Sequence, residues 1–418
     1  MIVDAIPGDK SISHRAIIIS SLVSGTSSFE GFLTSDDCMA TLSIFKALGV
    51  EIEQNGPSVR INSHGIEQLK APQNILNVGN SGTGIRLISG VLAALPFEST
   101  ITGDASIQKR PMARIMDPLR QMGATFLGNN QTPPLTIRGN KHFLDNWHYS
   151  MPVASAQVKS AILLAALTAG VSVTVVEPEP CRDHTERMLR LFGAQIDMNN
   201  GTIKLKKSVL NSPLEPIQIP ADISSALFFI CYSLMIGKQT TFLNIGLNPS
   251  RTGCLTILKM MGANIAIAEH PNAYEPMGTI TVSPSPNLKN IDVPLELIPN
   301  IIDELPILAI LATSASGTFK VRGAKELRVK ESDRIAGVCR LIKALGGRIK
   351  EYEDGFDVIA TTLPLNQEFT FNAHFDHRLA MSAHIAAAIY KSHPTIEGEA
   401  SIATSFPNFM EIMSQFNK

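Results

Sequence analysis

The sequence is poor in aromatic residues, has no excess charge of either sign, and lacks any long apolar run. Aromatic residues form 6% of the 418 residues, with a single tryptophan, which argues against a surface that stacks nucleic-acid bases. The 36 basic and 37 acidic residues nearly cancel, so net charge does not indicate a nucleic-acid partner. No apolar run reaches the roughly 18 residues of a membrane span. We therefore expect neither a nucleic-acid nor a membrane partner.

The sequence also lacks a cysteine framework and a secretion signal. Its five cysteines are scattered and include no C-x-x-C pair, a pattern typical of reduced thiols. The apolar stretch Ala16–Val23 near the N-terminus is short and is not followed by a convincing cleavage site. Together these absences predict a cytoplasmic protein.

Apolar segments recur along the chain about every 70 residues, an interval that indicates an internal repeat. Each consists of small and aliphatic residues on all sides, which favours helices buried on every face. With 44% hydrophobic residues, the chain has enough material for two domains. The six segments begin near Arg15, Arg86, Ser160, Ser225, Leu305 and Arg378.

A second repeated element is an amphipathic helix that ends at a glycine and is followed by a strand. Glycine at this position supplies the left-handed conformation that commonly ends a helix. Five copies end at Gly49, Gly123, Gly193, Gly262 and Gly346. We therefore predict two similar α/β lobes with three repeats each, and the proline-bearing stretch 212–221 is the best candidate for the linker.

Polar clusters stand directly before five of the six buried segments. Glycine, lysine, arginine and hydroxyl side chains at a helix N-terminus form a site suited to anions. Taken alone, Pro7–Arg15 and Gly79–Arg86 fit a capped or tight turn equally well, and an isolated charged run is more often a solvated face. Because the clusters occupy equivalent places in the repeat, they favour a single cleft. The ligand of that cleft should carry several negative charges, because arginine binds phosphates and carboxylates by paired hydrogen bonds. The clusters are Pro7–Arg15, Gly79–Arg86, Ser155–Lys159, Ile302–Pro306 and Asp376–Arg378, with a further charged run at Arg328–Arg334.

Several common site types do not fit these clusters. Asp9 separates Gly8 from Lys10, which excludes a P-loop, and the glycine-rich stretch 79–86 departs from the dinucleotide fingerprint. His374 and His377 have no third ligand at a fixed spacing, and Arg378 is a poor neighbour for a cation. We predict no metal and no cofactor.

Taken together, the motifs resemble those of the 5-enolpyruvylshikimate 3-phosphate (EPSP) synthase family of enolpyruvyl transferases. The resemblance covers essentially the whole chain, and the variants are similar to the branch called class II. The motifs that carry it are P-G-D-K-S-I-S-H-R (7–15), S-D-D (35–37), G-N-S-G-T-G-I-R (79–86), K-R-P (109–111), S-A-Q-V-K-S (155–160), R-D-H-T-E (182–186), D-E-L-P (303–306), R-V-K-E-S-D-R (328–334), D-H-R (376–378) and T-S-F-P (404–407).

The resemblance implies a fold of two similar lobes, each with three βαβαββ units around buried helices, an inside-out α/β barrel. It assigns residues 9–220 to the first lobe. Residues 221–418, completed by the first few N-terminal residues, form the second. It also implies a monomer.

The activity implied by the resemblance is transfer of the enolpyruvyl group of phosphoenolpyruvate to the 5-hydroxyl of shikimate 3-phosphate. By similarity, the catalytic residues are Asp303, Glu331 and Lys10. The residues implied for shikimate 3-phosphate are Lys10, Ser11, Arg15, Ser155, Ala156, Gln157, Arg182, Asp303 and Lys330. Those implied for phosphoenolpyruvate are Lys10, Gly82, Thr83, Arg110, Gln157, Arg334 and Arg378.

The sequence leaves two alternatives open. The first is the related enzyme that transfers enolpyruvyl to UDP-N-acetylglucosamine, which commonly carries a cysteine in the loop that corresponds to Gly103–Arg110 here; this loop has none. The second is a sugar-phosphate binding protein without catalysis, which the presence of both Asp303 and Glu331 disfavours.

Overall fold

The structure, a computed structural model, describes residues 1–128, 130–140, 142–271 and 274–416. The chain divides into two compact units. We call Gly8–Ile219 the first lobe, and Met1–Pro7 together with Pro220–Lys418 the second lobe. Asn417 and Lys418, which end the predicted second lobe, lie outside the described residues.

Along the described chain, at least one further helix stands between each buried helix and the next. The first lobe contains α1 (Lys10–Ser21), α2 (Asp36–Ala47), α3 (Gly82–Ala93), α4 (Ala113–Met122), α5 (Ala156–Ala169) and α6 (His184–Leu191). The second lobe contains α7 (Ile223–Ile236), α8 (Gly253–Met260), α9 (Ile298–Ile301), α10 (Leu305–Ala312), α11 (Arg334–Ala344), α12 (His377–Ile389) and α13 (Phe409–Phe416). Short 3₁₀ helices lie at Ile66–Gln68, Ile107–Lys109, Leu295–Leu297, Lys325–Val329 and Glu399–Thr404.

Strands separate the α-helices, except between α9 and α10. They are β1 (Ile2–Val3), β2 (Ser24–Glu30), β3 (Glu51–Asn55), β4 (Ser58–His64), β5 (Leu76–Asn77), β6 (Glu98–Thr102), β7 (Thr125–Leu127), β8 (Leu135–Arg138), β9 (Trp147–Ser150), β10 (Val173–Val176), β11 (Ile196–Asn199), β12 (Thr202–Leu205), β13 (Ile217–Gln218), β14 (Thr240–Gly246), β15 (Asn264–Glu269), β16 (Met277–Ser283), β17 (Thr318–Val321), β18 (Arg348–Tyr352), β19 (Gly355–Ile359), β20 (Glu368–Asn372) and β21 (His393–Glu397).

The six apolar segments of the sequence form α1, α3, α5, α7, α10 and α12, which are buried helices. Every residue of α10 is buried, as are nearly all residues of α7, because side chains point into the lobe interior from all sides of these helices. Glycine ends two of them in the left-handed conformation, at Gly170 and Gly237. No helix in the described part of the chain is both long and apolar enough to cross a membrane.

The sheets are small and mixed, and most share one strand order. In the first lobe the orders are β13-β2-β4-β3, β5-β6-β8-β7 and β9-β10-β12-β11. Each begins with a parallel pair and continues with antiparallel pairs. The second lobe repeats this order once as β1-β14-β16-β15 and has two smaller sheets, β17-β19-β18 and β20-β21. The predicted α/β class is confirmed by this alternation of helices and mixed sheets.

The parallel pairs explain where the polar clusters lie. The strands β5 and β6, β9 and β10, and β20 and β21 are parallel neighbours, each pair joined through one buried helix, as a parallel connection requires. The polar clusters Gly79–Arg86, Ser155–Lys159 and Asp376–Arg378 therefore lie where the chain leads from the end of a strand into the N-terminus of a buried helix.

A helix that the sequence analysis did not predict completes the second-lobe core. The apolar face of α13 packs on α7, and the ring centroid of Phe229 lies 5.3 Å from those of Phe409 and Phe416. Phe406 joins the same group, 5.5 Å from Phe409. The sequence pattern that predicted the five amphipathic helices requires a glycine at the helix end, which this segment lacks.

Candidate active site

The N-terminus of α1 in the first lobe carries Lys10 and Ser11. Asp9 caps the helix by accepting a hydrogen bond from the Ile12 amide at 3.0 Å. The Nζ atom of Lys10 lies 3.0 Å from an Asp37 carboxylate oxygen, and the lysine side chain remains 22% exposed. The hydroxyl of Ser11 makes no hydrogen bond to any described residue. Both predicted substrate-binding residues thus lie at the N-terminal end of a helix, where the helix dipole is positive.

The structure places Arg15 in the lobe interior, with 2% of its surface exposed. Its Nε donates to the Thr185 hydroxyl at 2.6 Å and its Nη1 to the Ser11 carbonyl at 2.7 Å. Its Nη2 donates to the Ser160 hydroxyl at 2.8 Å. Arg15 therefore joins α1 to α5 and α6, and its contact with a ligand stays a prediction.

His14 connects the first two helices to the next cluster. Its Nδ1 lies 2.8 Å from the Thr41 hydroxyl, and its Nε2 lies 3.2 Å from the hydroxyl of Ser81, which caps α3. Burial, aided by the charges of Lys10 and Arg15, lowers the pKa of His14 to about 3. The imidazole is therefore neutral near pH 7 and acts as a fixed hydrogen-bonding link.

Gln157 brings the N-termini of α3 and α5 together. Its Oε1 accepts a hydrogen bond from Arg86 Nη1 at 2.8 Å, and its Nε2 donates to the Thr83 hydroxyl at 3.0 Å. Ser155 caps α5, accepting from the Val158 amide at 3.4 Å, and Ala156 is the first residue of that helix. The predicted residues Thr83, Ser155, Ala156 and Gln157 consequently lie close together.

Arg110 lies directly against Gly82, the first residue of α3. Its Nη2 is 3.4 Å from both the Asn80 side-chain oxygen and the Ser106 hydroxyl. A Cβ atom added to Gly82 would lie 2.6 Å from Arg110 Nη1, too close for an ordinary contact. Glycine is therefore required for the guanidinium to reach this helix end.

Arg182 lies on the loop after β10, which a buried ion cluster holds in place. Lys159 Nζ lies 2.8 Å from a Glu177 oxygen and 2.7 Å from a Glu186 oxygen. It also donates to the Cys181 carbonyl, next to Arg182, at 3.4 Å. Burial opposes the charge of Lys159, but the carboxylates prevail and raise its pKa, whereas burial raises the pKa of Glu186. Sequence reasoning placed Lys159 only within a motif and missed this cluster.

Arg334 is the centre of the second-lobe cluster and is 1% exposed. Its Nη1 lies 3.2 Å from Asp303, its Nη2 2.5 Å from Glu331, and its Nε 2.8 Å from Asp376. Burial alone would disfavour the charge, but the three carboxylates raise the pKa of Arg334 above its usual value. One buried cation thus holds both predicted catalytic acids.

Two further cations surround Asp303, which lies just before α10. Lys330 Nζ is 3.1 Å from its carboxylate. Arg378 Nη1 donates to the Asp303 carbonyl at 2.7 Å. Asp303, Lys330, Glu331, Arg334 and Arg378 are therefore all gathered within the second lobe.

Asp376 has a structural role in this cluster. One of its oxygens accepts from the Ser332 hydroxyl at 3.1 Å as well as from Arg334, and the other caps α12 through the amides of Arg378 and Leu379. These four donors already occupy the Asp376 carboxylate, which lies between His374 and His377 in the sequence.

The fold is that of the enolpyruvyl transferases. The solved structure of the enolpyruvyl transferase NikO from Streptomyces tendae matches with a TM-score of 0.76 and covers 98% of this chain and 93% of its own. At 15% identity, this likeness shows the fold alone.

The chain belongs to the EPSP synthase (3-phosphoshikimate 1-carboxyvinyltransferase) family, whose profile matches residues 2–413. A 3-phosphoshikimate 1-carboxyvinyltransferase from Bacillus pumilus is 43% identical over 417 residues, covering 99% of this chain and 96% of the relative. The corresponding protein from Petrotoga mobilis is 45% identical over 415 residues, covering 98% and 95%. A solved EPSP synthase structure from Acinetobacter baumannii has a TM-score of 0.86 at 42% identity, covering 99% and 95%. The predicted family is confirmed, and the chain is a transferase.

Proposed function

We propose that this chain transfers the enolpyruvyl group of phosphoenolpyruvate to the 5-hydroxyl of shikimate 3-phosphate. The products are 5-enolpyruvylshikimate 3-phosphate and inorganic phosphate, in the shikimate pathway toward chorismate and the aromatic amino acids. Membership of the EPSP synthase family supports the reaction. The structural observation that best supports the reaction is the second-lobe cluster, in which Asp303 and Glu331 both form ion pairs with Arg334.

Both substrates are multiply anionic, and both lobes supply groups that bind anions. For shikimate 3-phosphate we propose Lys10, Ser11, Arg15, Ser155, Ala156, Gln157, Arg182, Asp303 and Lys330. For phosphoenolpyruvate we propose Lys10, Gly82, Thr83, Arg110, Gln157, Arg334 and Arg378. Helix N-termini, paired guanidinium donors and lysine charges are the groups that proteins use for phosphates and carboxylates.

The proposed chemistry is an addition followed by an elimination. A proton is added to the methylene carbon of phosphoenolpyruvate, and the 5-hydroxyl oxygen attacks the adjacent carbon as it loses its own proton. The tetrahedral intermediate then loses phosphate, and the new methyl group gives up a proton to restore the double bond. We assign proton donation to Glu331 with Lys10, and proton acceptance from the hydroxyl to Asp303. The cations beside Asp303 stabilise its negative charge, and the arginines stabilise the departing phosphate.

The test is phosphate release from phosphoenolpyruvate, measured separately with shikimate 3-phosphate and with UDP-N-acetylglucosamine. We expect turnover with shikimate 3-phosphate and none with the nucleotide sugar. Turnover only with UDP-N-acetylglucosamine would favour the related transferase. Binding of shikimate 3-phosphate without phosphate release would favour a non-catalytic binding protein.

We further propose that the protein acts on small molecules alone, as a cytoplasmic monomer. All five cysteines lie in the described part of the chain, and none forms a disulfide, which fits a reducing compartment. The net charge of −1 gives no support for a nucleic-acid partner. Sedimentation equilibrium should give the mass of one chain, and a dimer mass would contradict this part of the proposal.

A further inference from the structure

Glu304 follows the proposed base Asp303 and has no role in the mechanism proposed above. Its side chain is almost wholly buried, with 1% of the residue exposed. A buried carboxylate is costly unless nearby donors or cations compensate its charge. Its surroundings therefore indicate its purpose.

The two oxygens of Glu304 have different environments. Oε1 accepts a hydrogen bond from the Ser224 hydroxyl and lies 3.7 Å from Nη1 of Arg378. Oε2 is buried and has no hydrogen-bond partner among the described residues. Within the described part of the chain, only one oxygen of this carboxylate has a hydrogen-bond donor. Among the described residues, the guanidinium of Arg378 is consequently the nearest cation that can offset its negative charge.

Ser224 is itself held in the orientation that donates to Glu304. Nη2 of Arg251 donates to the Ser224 oxygen at 2.6 Å and to Asp222 at 2.9 Å. Because that oxygen already accepts from an arginine, its own proton is available for the Glu304 carboxylate. Arg251 is 3% exposed, so this support is fixed within the lobe.

Arg378 is fixed on one side only. Its Nη1 makes both the hydrogen bond to the Asp303 carbonyl and the contact with Glu304. Among the described residues, its Nε and Nη2 have no hydrogen-bond partner, and its side chain is 13% exposed. The planar guanidinium therefore presents its remaining donors for an anion.

We propose that Glu304 is a positioning residue that fixes the guanidinium of Arg378 for phosphoenolpyruvate, with Ser224 and Arg251 fixing Glu304 in turn. This inference rests on the proposed function, in which Arg378 binds that substrate. The carboxylate attracts the guanidinium strongly because both groups are largely shielded from water. Without it, the single hydrogen bond to the Asp303 carbonyl would leave the guanidinium free to rotate.

The first test is Glu304→Gln, which keeps the shape and the Ser224 contact but removes the charge. We expect the KM for phosphoenolpyruvate to rise about tenfold, a change of about 1.4 kcal/mol. The KM for shikimate 3-phosphate should change less than about twofold.

The matched control is Glu275→Gln. Glu275 is a carboxylate of the same lobe, is also 1% exposed, and accepts a hydrogen bond from the Asn248 side chain. The control variant should have unchanged KM values for both substrates. Its Tm shows how much the replacement of a buried glutamate by glutamine affects stability in general.

The second test combines Glu304→Gln with Arg378→Ala. If Glu304 acts through Arg378, its substitution should have little further effect on the KM for phosphoenolpyruvate once the arginine is absent. Ser224→Ala should raise the same KM in the wild-type background, by less than Glu304→Gln.

The outcomes separate this inference from the proposed function. The positioning role would be overturned if the effects of Glu304→Gln and Arg378→Ala on the KM for phosphoenolpyruvate multiplied in the double variant. It would also be overturned if folded Glu304→Gln protein had an unchanged KM for phosphoenolpyruvate. No turnover by the unaltered protein, or an unchanged KM in Arg378→Ala, would instead refute the proposed function or the assignment of Arg378.

Discussion

At the residue scale, two buried arginines of this protein make extensive contacts with other groups. Arg334 is surrounded by three carboxylates, whereas the hydrogen bonds of Arg15 described above go to two hydroxyls and a carbonyl. Ion pairs with three acids hold the guanidinium of Arg334 and those acids in fixed positions relative to one another. We therefore expect Arg334 to position Asp303 and Glu331.

The acids held by Arg334 lead to a prediction about turnover. Glu331→Gln and Asp303→Asn should each lower kcat by on the order of a hundredfold or more, because each removes a proposed proton-transfer group. Steady-state phosphate release is the measurement. Glu351→Gln is the control, since this more exposed carboxylate of the same lobe pairs with Arg328. Near-normal kcat in Glu331→Gln would contradict its assignment as proton donor.

The buried His14 should make the free energy of unfolding depend on pH. Its pKa is about 3 in the folded protein against an ordinary value of 6.5, so the unfolded chain binds more protons between these values. The free energy of unfolding should therefore fall as pH decreases through 6.5, by about 2 kcal/mol between pH 7 and pH 5 from this residue.

The measurement is denaturant unfolding at both pH values for the wild-type protein and for His14→Gln. The carboxylates titrate in both proteins, so only the difference between them reports on His14. We expect the wild-type advantage to shrink by about 2 kcal/mol on acidification. A difference that does not depend on pH would show that His14 is not buried in its neutral form.

At the element scale, glycines decide how closely the buried helices approach other groups. In α3, Gly82 faces the ends of two arginine side chains, whereas Gly90 faces the backbone of α5. A Cβ atom at Gly90 would lie 2.3 Å from the Ala161 carbonyl oxygen. The same substitution at these two places of one helix should therefore have different consequences.

Gly90→Ala should lower the free energy of unfolding by about 1–3 kcal/mol, because the two helices must move apart. This clash outweighs the gain in helix propensity, about 1 kcal/mol. Gly82→Ala should change stability less, because arginine side chains can move, but should raise the KM for phosphoenolpyruvate roughly tenfold by displacing Arg110. Thermal unfolding and steady-state kinetics on both variants are the measurements. Equal losses of stability would refute the distinction.

At the scale of the whole molecule, the chain exchanges short edge strands between distant parts of the sequence. The strand β1 precedes α1 of the first lobe, yet Ile2 and Val3 pair with Thr241 and Phe242 of the second. The strand β13 precedes α7 of the second lobe but pairs with β2 of the first. The second lobe therefore depends on both ends of the chain, whereas the first lobe is one continuous stretch that includes β13.

This exchange predicts where a mutation near the N-terminus acts. Val3 is 1% exposed in the second-lobe core, so Val3→Ala should cost on the order of 2 kcal/mol. Hydrogen exchange should show lost protection in β14, while α1 stays protected even though it begins only a few residues further along the chain. Ile2→Ala, at a 67% exposed position of the same strand, is the control. Loss of protection confined to α1 would contradict the pairing.

The sequence by itself determined the α/β class, the places of the six buried helices and the family. Those features depend on local patterns, namely apolar periodicity and ordered motifs, which a linear sequence retains. The sequence also identified Asp303 and Arg378 in polar clusters before buried helices, and Glu331 and Arg334 in a charged run.

Only the tertiary structure decided which charged groups meet. Lys159 contacts Glu177 and Glu186, Arg334 contacts Asp303 and Asp376, and Glu304 contacts Arg378. These contacts join residues that are far apart along the chain. No local pattern distinguishes a buried lysine from a solvated one, because burial depends on how the helices pack. The structure likewise revealed α13, whose aromatic face is recognisable only against α7.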